Sequence, residues 1–253
     1  MANSVQLTPR LWQLKLNLVN CYLLATEDGL LLIDTGYPNS TDKLFAAVRE
    51  SGHDPAAIRH LLLTHCHIDH GGSAAEVHRR TGARTYAHVL DAPLIAKGIV
   101  ERPGTTRTHG LVNLLVYLFF IKYAGTTYEP LPVDELLEHG QVLPLARGLE
   151  VIHSPGHSAG HICLLLREEG LLIAGDICSH VMGLKYSTIN EDRALAQQSI
   201  LRVAEYPFER AVFGHGDALN ERANQQLKEN FAKSSSRAFG SSQQSRLRTH
   251  EPA

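Results

Sequence analysis

Apolar residues fall in short blocks along this chain, and the blocks alternate between two periods. Val19-Asn20-Cys21-Tyr22-Leu23-Leu24 and Leu30-Leu31-Leu32-Ile33-Asp34 flank Glu27-Asp28-Gly29, which predicts a β-hairpin. From Ser40 to Glu50 the period becomes helical, with Leu44, Ala47 and Val48 on one face and Ser40 or Thr41 as cap. Arg59 to Leu63 reads as a strand, Ala74 to Arg80 as a helix, Arg84 to Tyr86 as a short strand and Val89 to Gly98 as another helix. The second half repeats this style. Gly148 to His153, His161 to Leu166 and Gly170 to Gly175 are predicted strands, followed by a helix over Asp192 to Tyr206, a strand over Arg210 to Phe213 and a helix over Ala218 to Phe231. Hairpins with flanking helices in both halves predict an α/β protein, two sheets packed face to face with helices outside. Residues 1–232 form one such domain, its halves joining near 99–135. From Lys233 to Ala253 the chain is rich in Ser, Gln and Arg, which predicts a disordered tail.

One apolar run interrupts the pattern within an insertion at about 108–123. Leu111 to Ile121 is almost wholly apolar, yet about half the roughly 20 residues that a membrane-spanning helix needs. Three readings fit it: a buried helix, a homodimer contact, or a greasy lid over a site. As a lid it would turn Leu115 and Phe119 toward a hydrophobic substrate.

Composition narrows the function classes. A formal net charge of −2 gives no general attraction to nucleic acid or anionic lipid, so a small-molecule substrate is expected. The four cysteines, Cys21, Cys66, Cys163 and Cys178, form no C-x-x-C pair. Met1 to Leu18 shows no signal-peptide pattern. Both features lead to the expectation of a reduced, cytoplasmic protein.

The chemistry concentrates in Thr64-His65-Cys66-His67-Ile68-Asp69-His70, directly after an apolar strand. Folding alone does not ask for three imidazoles and a carboxylate in six residues, whereas a divalent metal does. His157, in Pro155-Gly156-His157, Asp176, in Ala174-Gly175-Asp176, and His215, in Gly214-His215-Gly216, also fall beside glycines at predicted strand ends.

The order H-x-H-x-D-H, then His, Asp and His, together with Asp34-Thr35-Gly36, resembles the metallo-β-lactamase superfamily from about Val19 to Leu219. The resemblance implies a four-layer αββα sandwich of two mixed sheets. It implies two adjacent divalent ions, zinc by preference, with iron, manganese or cobalt as alternatives. The first ion would take His65, His67 and His157, the second Asp69, His70 and His215, with Asp176 bridging both. A hydroxide shared by the ions would attack the substrate, and Asp69 would assist proton transfer. Asp34 and His161 would orient these groups, and His180 and Tyr186 would face the substrate. Cys66 reads as a small packed residue.

Asp176 at the bridging position looks like the glyoxalase II, lactonase and nuclease branches rather than the β-lactamases. No added domain or basic face points to nucleic acid. Asp176-Ile177-Cys178-Ser179 departs from the glyoxalase II pattern, and Ser179 stands where lactonases place a tyrosine. The expected activity is hydrolysis of a lactone, ester or thioester, with a hydrophobic acyl group if the apolar run lines the site. Two alternatives stand beside it. One is a persulfide dioxygenase-like enzyme with a single iron on His65, His157 and Asp176. The other is a promiscuous phosphodiesterase or β-lactamase-type hydrolase.

Overall fold

The computed structural model describes residues 3–232 apart from 101, 103 and 124, and leaves the side chains of residues 112, 120 and 121 undescribed. The tail expected from residue 233 onward lies outside the described residues. A seven-stranded sheet takes β1 (Ser4–Gln6), β2 (Leu11–Leu16), β3 (Val19–Ala25), β4 (Leu30–Ile33), β5 (Ile58–Leu62), β6 (Arg84–His88) and β8 (Glu135–Leu137), in that order across the sheet. β7 (Thr106–Arg107) lies outside it. Strands β1 to β4 run antiparallel, while β4, β5, β6 and β8 run parallel. The second sheet is built from β9 (Val142–Leu143), β10 (Leu149–His153), β11 (Ile162–Leu166), β12 (Leu171–Ile173) and β14 (Arg210–Val212), ordered β14-β12-β11-β10-β9. The short β13 (Ile189–Asn190) pairs instead with β7.

Period-two alternation inside apolar strands explains the layering. In β4, Leu31 and Ile33 face the second sheet, while Leu30 and Leu32 face helices α1 (Thr41–Glu50) and α3 (Ala74–Thr81) on the outside. In β11, Ile162, Leu164 and Leu166 meet the first sheet. Cys163 and Leu165 of the same strand meet α6 (Arg193–Val203) and the helix over 223–232. That last helix buries Ala223, Leu227 and Phe231, one turn apart, on the second sheet's outer face. Helix, sheet, sheet and helix make the αββα sandwich, with both sheets mixed. Full burial of each such leucine contributes about 1.5–3 kcal/mol.

Three expectations need correction. The chain between 89 and 98 makes only the single turn α4 (Ala92–Ile95), because Pro93 sits in its first turn and the Asp91 side chain bonds elsewhere. The join lies later, since 135–137 still belongs to the first sheet. Helix α5 (Leu111–Val116), extended by a π-helical turn over Tyr117–Ile121, is not buried. Among described residues no helix is long and apolar enough to cross a membrane.

Candidate metal centre

Each residue of the constellation leaves the end of a strand. β5 runs into Thr64–His67 and the short helix α2 (Ile68–Gly71), the β10–β11 loop carries His157, β12 leads to Asp176, and β14 leads to His215. Three overlapping groups each bring their ligand atoms within 4.8 Å of one another: His65, His67 and His157; His65, His70 and Asp176; Asp69, His70 and His215. Asp176 Oδ2 lies 3.2 Å from His215 Nε2 and 3.7 Å from His157 Nε2, and its Oδ1 lies 3.5 Å from His70 Nε2. The carboxylate therefore stands between the histidines of both halves.

Hydrogen bonds at the far side of the rings set which nitrogen faces inward. His157 Nδ1 donates to the Ile189 carbonyl at 2.9 Å and His215 Nδ1 to the Leu18 carbonyl at 2.7 Å. His70 Nδ1 donates to Asp34 Oδ2 at 2.9 Å. Thr64 Oγ1 gives its proton to Asp34, so it accepts from His65 Nδ1. All four rings thus present Nε2 to the centre. The bare Nε2 atoms of His65 and His157 face each other at 3.2 Å, an arrangement that repels unless a cation lies between. Two nitrogens on one tetrahedral ion at ~2.0–2.1 Å stand roughly 3.3 Å apart. His67 Nε2, His70 Nε2 and Asp176 Oδ1 are buried without any hydrogen-bond partner. Orphaned buried atoms of this kind fit metal ligands.

The charges agree. Burial keeps His65, His157 and His161 neutral, with His157 pushed down to about 3. Burial alone would also lower His70, but Asp176, Asp69 and Asp34 outweigh it and raise the ring to about 9. His215 rises the same way beside Asp176 and Asp69. Burial alone would raise the two carboxylates, yet His70 and His215 hold both well below the usual range. A cation entering this cluster replaces protons on the two cationic rings.

Asp34 does not point into the cluster. It occupies the left-handed region, φ 63°, and its carboxylate accepts from Thr64 N, Thr64 Oγ1 and His70 Nδ1. His161 donates from Nδ1 to Ser154 Oγ, and its Nε2 accepts from the Asp176 amide at 2.9 Å, bracing that backbone. Cys66 is buried, and its amide donates to Asp91.

Asp91 escaped the sequence reading. This buried carboxylate accepts from Cys66 N, Ser158 Oγ and Gly160 N, and pairs with Arg102 at 2.9 Å. Arg102 also reaches Glu191, which accepts from Ala159 N. The 65–67 loop and the 157–160 loop are tied together through this one group. No local pattern marks it, because its partners lie 25, 67 and 69 positions away.

A cavity of about 690 Å³ opens on the centre, and His67, Asp69, His157, Asp176 and His215 line it. Tyr186 lines it too. His180 does not: its Nδ1 donates to the Asp217 carbonyl, and its backbone pairs with the 215–216 loop. Leu115 and Phe119 also fall outside the lining and are 45% and 72% exposed. Helical spacing gives the reason. Asn113, Val116 and Tyr117 share the cavity face, which leaves Leu111, Leu115 and Phe119 on the opposite one.

The sequence matches the family model of the metallo-β-lactamase superfamily over residues 14–215. The chain belongs to the metallo-β-lactamase superfamily. This superfamily member is 28% identical to thioesterase pkgB of Emericella nidulans, across 79% of the chain and 46% of that protein. It is 23% identical to an N-acyl homoserine lactonase of a Bacillus species, across 59% of the chain and 58% of that protein. The chain thus spans about half the length of these relatives. Its fold superposes on the subclass B3 metallo-β-lactamase BJP-1 of Bradyrhizobium japonicum with a TM-score of 0.69 at 20% identity, covering 97% and 95% of the two chains.

Within this superfamily member, Gly214 packs directly against the candidate ligands. A Cβ there would stand 2.1 Å from Asp176 Oδ1 and 2.7 Å from the His70 ring. Gly214→Ala will weaken divalent-metal affinity about 10–100-fold, the range for disturbed ligand support. A competitive chelator titration checks this, and an unchanged affinity would mean that the Asp176 carboxylate has room to shift.

Proposed function

We propose that this protein is a two-metal hydrolase of an acyl bond, with a thioester, ester or lactone as substrate. The observation that carries the reading is the position of Asp176, in contact with the His157 side and with the His70–His215 side of one cluster. His65, His67 and His157 would hold one ion, Asp69, His70 and His215 the other, and Asp176 would serve both. Divalent ions bound there make water nucleophilic near neutral pH and offset the negative charge that develops on the carbonyl oxygen. Zinc suits this donor set best, with iron, manganese and cobalt also suited.

The chain's own residues do the rest. Asp69 lines the cavity, with its Oδ2 3.2 Å from His215 Nε2, and would pass a proton to the leaving group. Ile68, Val100 and Tyr37 give the neighbouring wall an apolar lining that limits water. Water adds to the carbonyl carbon, the carbon–sulfur or carbon–oxygen bond breaks, and a carboxylic acid leaves with a thiol or an alcohol.

The leaving group sets the test. A thiol, with a pKa near ~8.5, departs as its anion with little help, whereas an alkoxide needs the proton. Purified, metal-quantified protein is assayed on acyl thioesters, S-lactoylglutathione, aryl esters, lactones, a cephalosporin and a phosphodiester. Thioester, ester or lactone hydrolysis is expected. Asp69→Asn will lower lactone turnover about 10²-fold or more and thioester turnover less. Turnover of the cephalosporin or the phosphodiester alone would overturn the reading. The single-iron dioxygenase alternative uses His65, His157 and Asp176, and leaves Asp69, His70 and His215 without a role. Oxygen uptake with one iron per chain would favour it.

A further inference from the structure

Three cations from three separate segments converge on the cavity described above. Arg107 comes from β7, Lys122 follows the π-helical turn, and Lys185 pairs through its backbone with Ser179, three residues beyond Asp176. None makes an ion pair with a carboxylate among the described residues. Among the described residues the Arg107 guanidinium bonds to the backbone carbonyl of Thr108, at 3.3 Å, and Lys122 Nζ lies 5.3 Å from the Tyr123 ring. Of the described residues lining the cavity only Asp69 and Asp176 are acidic, and both belong to the candidate metal centre. The remaining wall therefore carries uncompensated positive charge beside an apolar surface.

The insertion that brings Arg107 is fixed to the centre. Arg107 lies opposite Ile189 in the β7–β13 ladder, and the Ile189 carbonyl holds His157 Nδ1. Thr108 Oγ1 donates to the Ser187 carbonyl, and Ser187 Oγ donates to the Asp176 carbonyl. A lone solvated lysine on a surface means little. Three unpaired cations around one cavity, one of them braced against a ligand-bearing segment, form a recognition surface for an anion.

We propose that the substrate carries a fixed negative charge beyond its scissile bond, a phosphate or a carboxylate, which Arg107, Lys122 and Lys185 seat. Its apolar acyl part lies along Ile68, Val116, Tyr117 and Met182. This assignment rests on the acyl-hydrolase reading and names the substrate class for it: an amphipathic, anionic thioester or ester.

The test compares three thioesters of one medium-chain acyl group on the metal-loaded protein. The first is the neutral N-acetylcysteamine thioester, the second its ω-carboxyacyl counterpart, and the third the coenzyme A thioester, which supplies phosphates. At least one anionic arm will exceed the neutral one in kcat/KM by about tenfold or more at low salt, mainly through KM, and the preference will shrink as salt rises. The arm preferred distinguishes carboxylate from phosphate. In R107Q/K122Q/K185Q the anionic-to-neutral ratio will fall toward one. The salt series on the unaltered protein tests the same claim without any variant. Equal turnover of all three arms, insensitive to salt, overturns the charge assignment and leaves the hydrolase reading standing. Hydrolysis of none of them overturns this assignment, and the acyl-hydrolase reading falls with it only if aryl esters and lactones are also left intact.

Discussion

Asp176→Ala will lower kcat/KM on the best acyl substrate by about 10³-fold or more, and the protein will retain fewer than two ions. The magnitude follows from the loss of both ion placement and stabilisation of the developing oxyanion, where each such contribution reaches several kcal/mol. Geometry supplies the reason. This one carboxylate faces His70, His157 and His215 at 3.2–3.7 Å, and among the described residues no other acidic group reaches both sets of histidines. Without it the two ions of the proposed centre would lose a shared negative charge, and His70 and His215 lose a partner that holds their rings in place. Steady-state kinetics with metal analysis on the same sample checks this. A loss under tenfold with two ions retained would remove Asp176 from the centre of the account.

Asp91→Ala will destabilise the fold by about 3–5 kcal/mol, a large share of the roughly 5–15 kcal/mol that holds a domain together. The carboxylate is fully buried and accepts from two backbone amides, one hydroxyl and one guanidinium. Truncation strands the two amides and the hydroxyl, while Arg102 keeps Glu191. Arg102 is half-buried, so Arg102→Ala will cost less, about 1–2 kcal/mol. Urea unfolding of both variants reads the difference. Metal affinity will fall as well, because the tie between the 65–67 and 157–160 loops is cut. Unfolding midpoints for Asp91→Ala close to those of the parent protein would show that the loops hold their positions without it.

What the sequence disclosed follows from how far each signal reaches along the chain. His65, His67, Asp69 and His70 are crowded within six positions, so chemistry explains them where packing does not. His157, Asp176 and His215 were legible because glycines at strand ends flank them. The apolar blocks at 19–24, 30–33 and 162–166 announced strands buried on both faces, and the structure places them in the middle of the two sheets. Asp91 was hidden, since a carboxylate beside Pro93 looks like a turn residue until its distant partners fold onto it. The apolar run at 111–121 showed helical character but not its facing. Only the fold shows that Val116 and Tyr117 turn inward while Leu115 and Phe119 turn to solvent. β2 was missed because Gln13 and Lys15 break up its apolar residues, although Leu14 and Leu16 beside Lys15 carry the alternation of a strand.

The most direct test of a two-metal acyl hydrolase is a zinc titration of the metal-stripped protein with thioester hydrolysis followed at each step. A two-metal centre gives no turnover without metal, and activity that rises to a plateau at two ions per chain. Turnover in the stripped protein, or a plateau at one ion with no further gain, would contradict it.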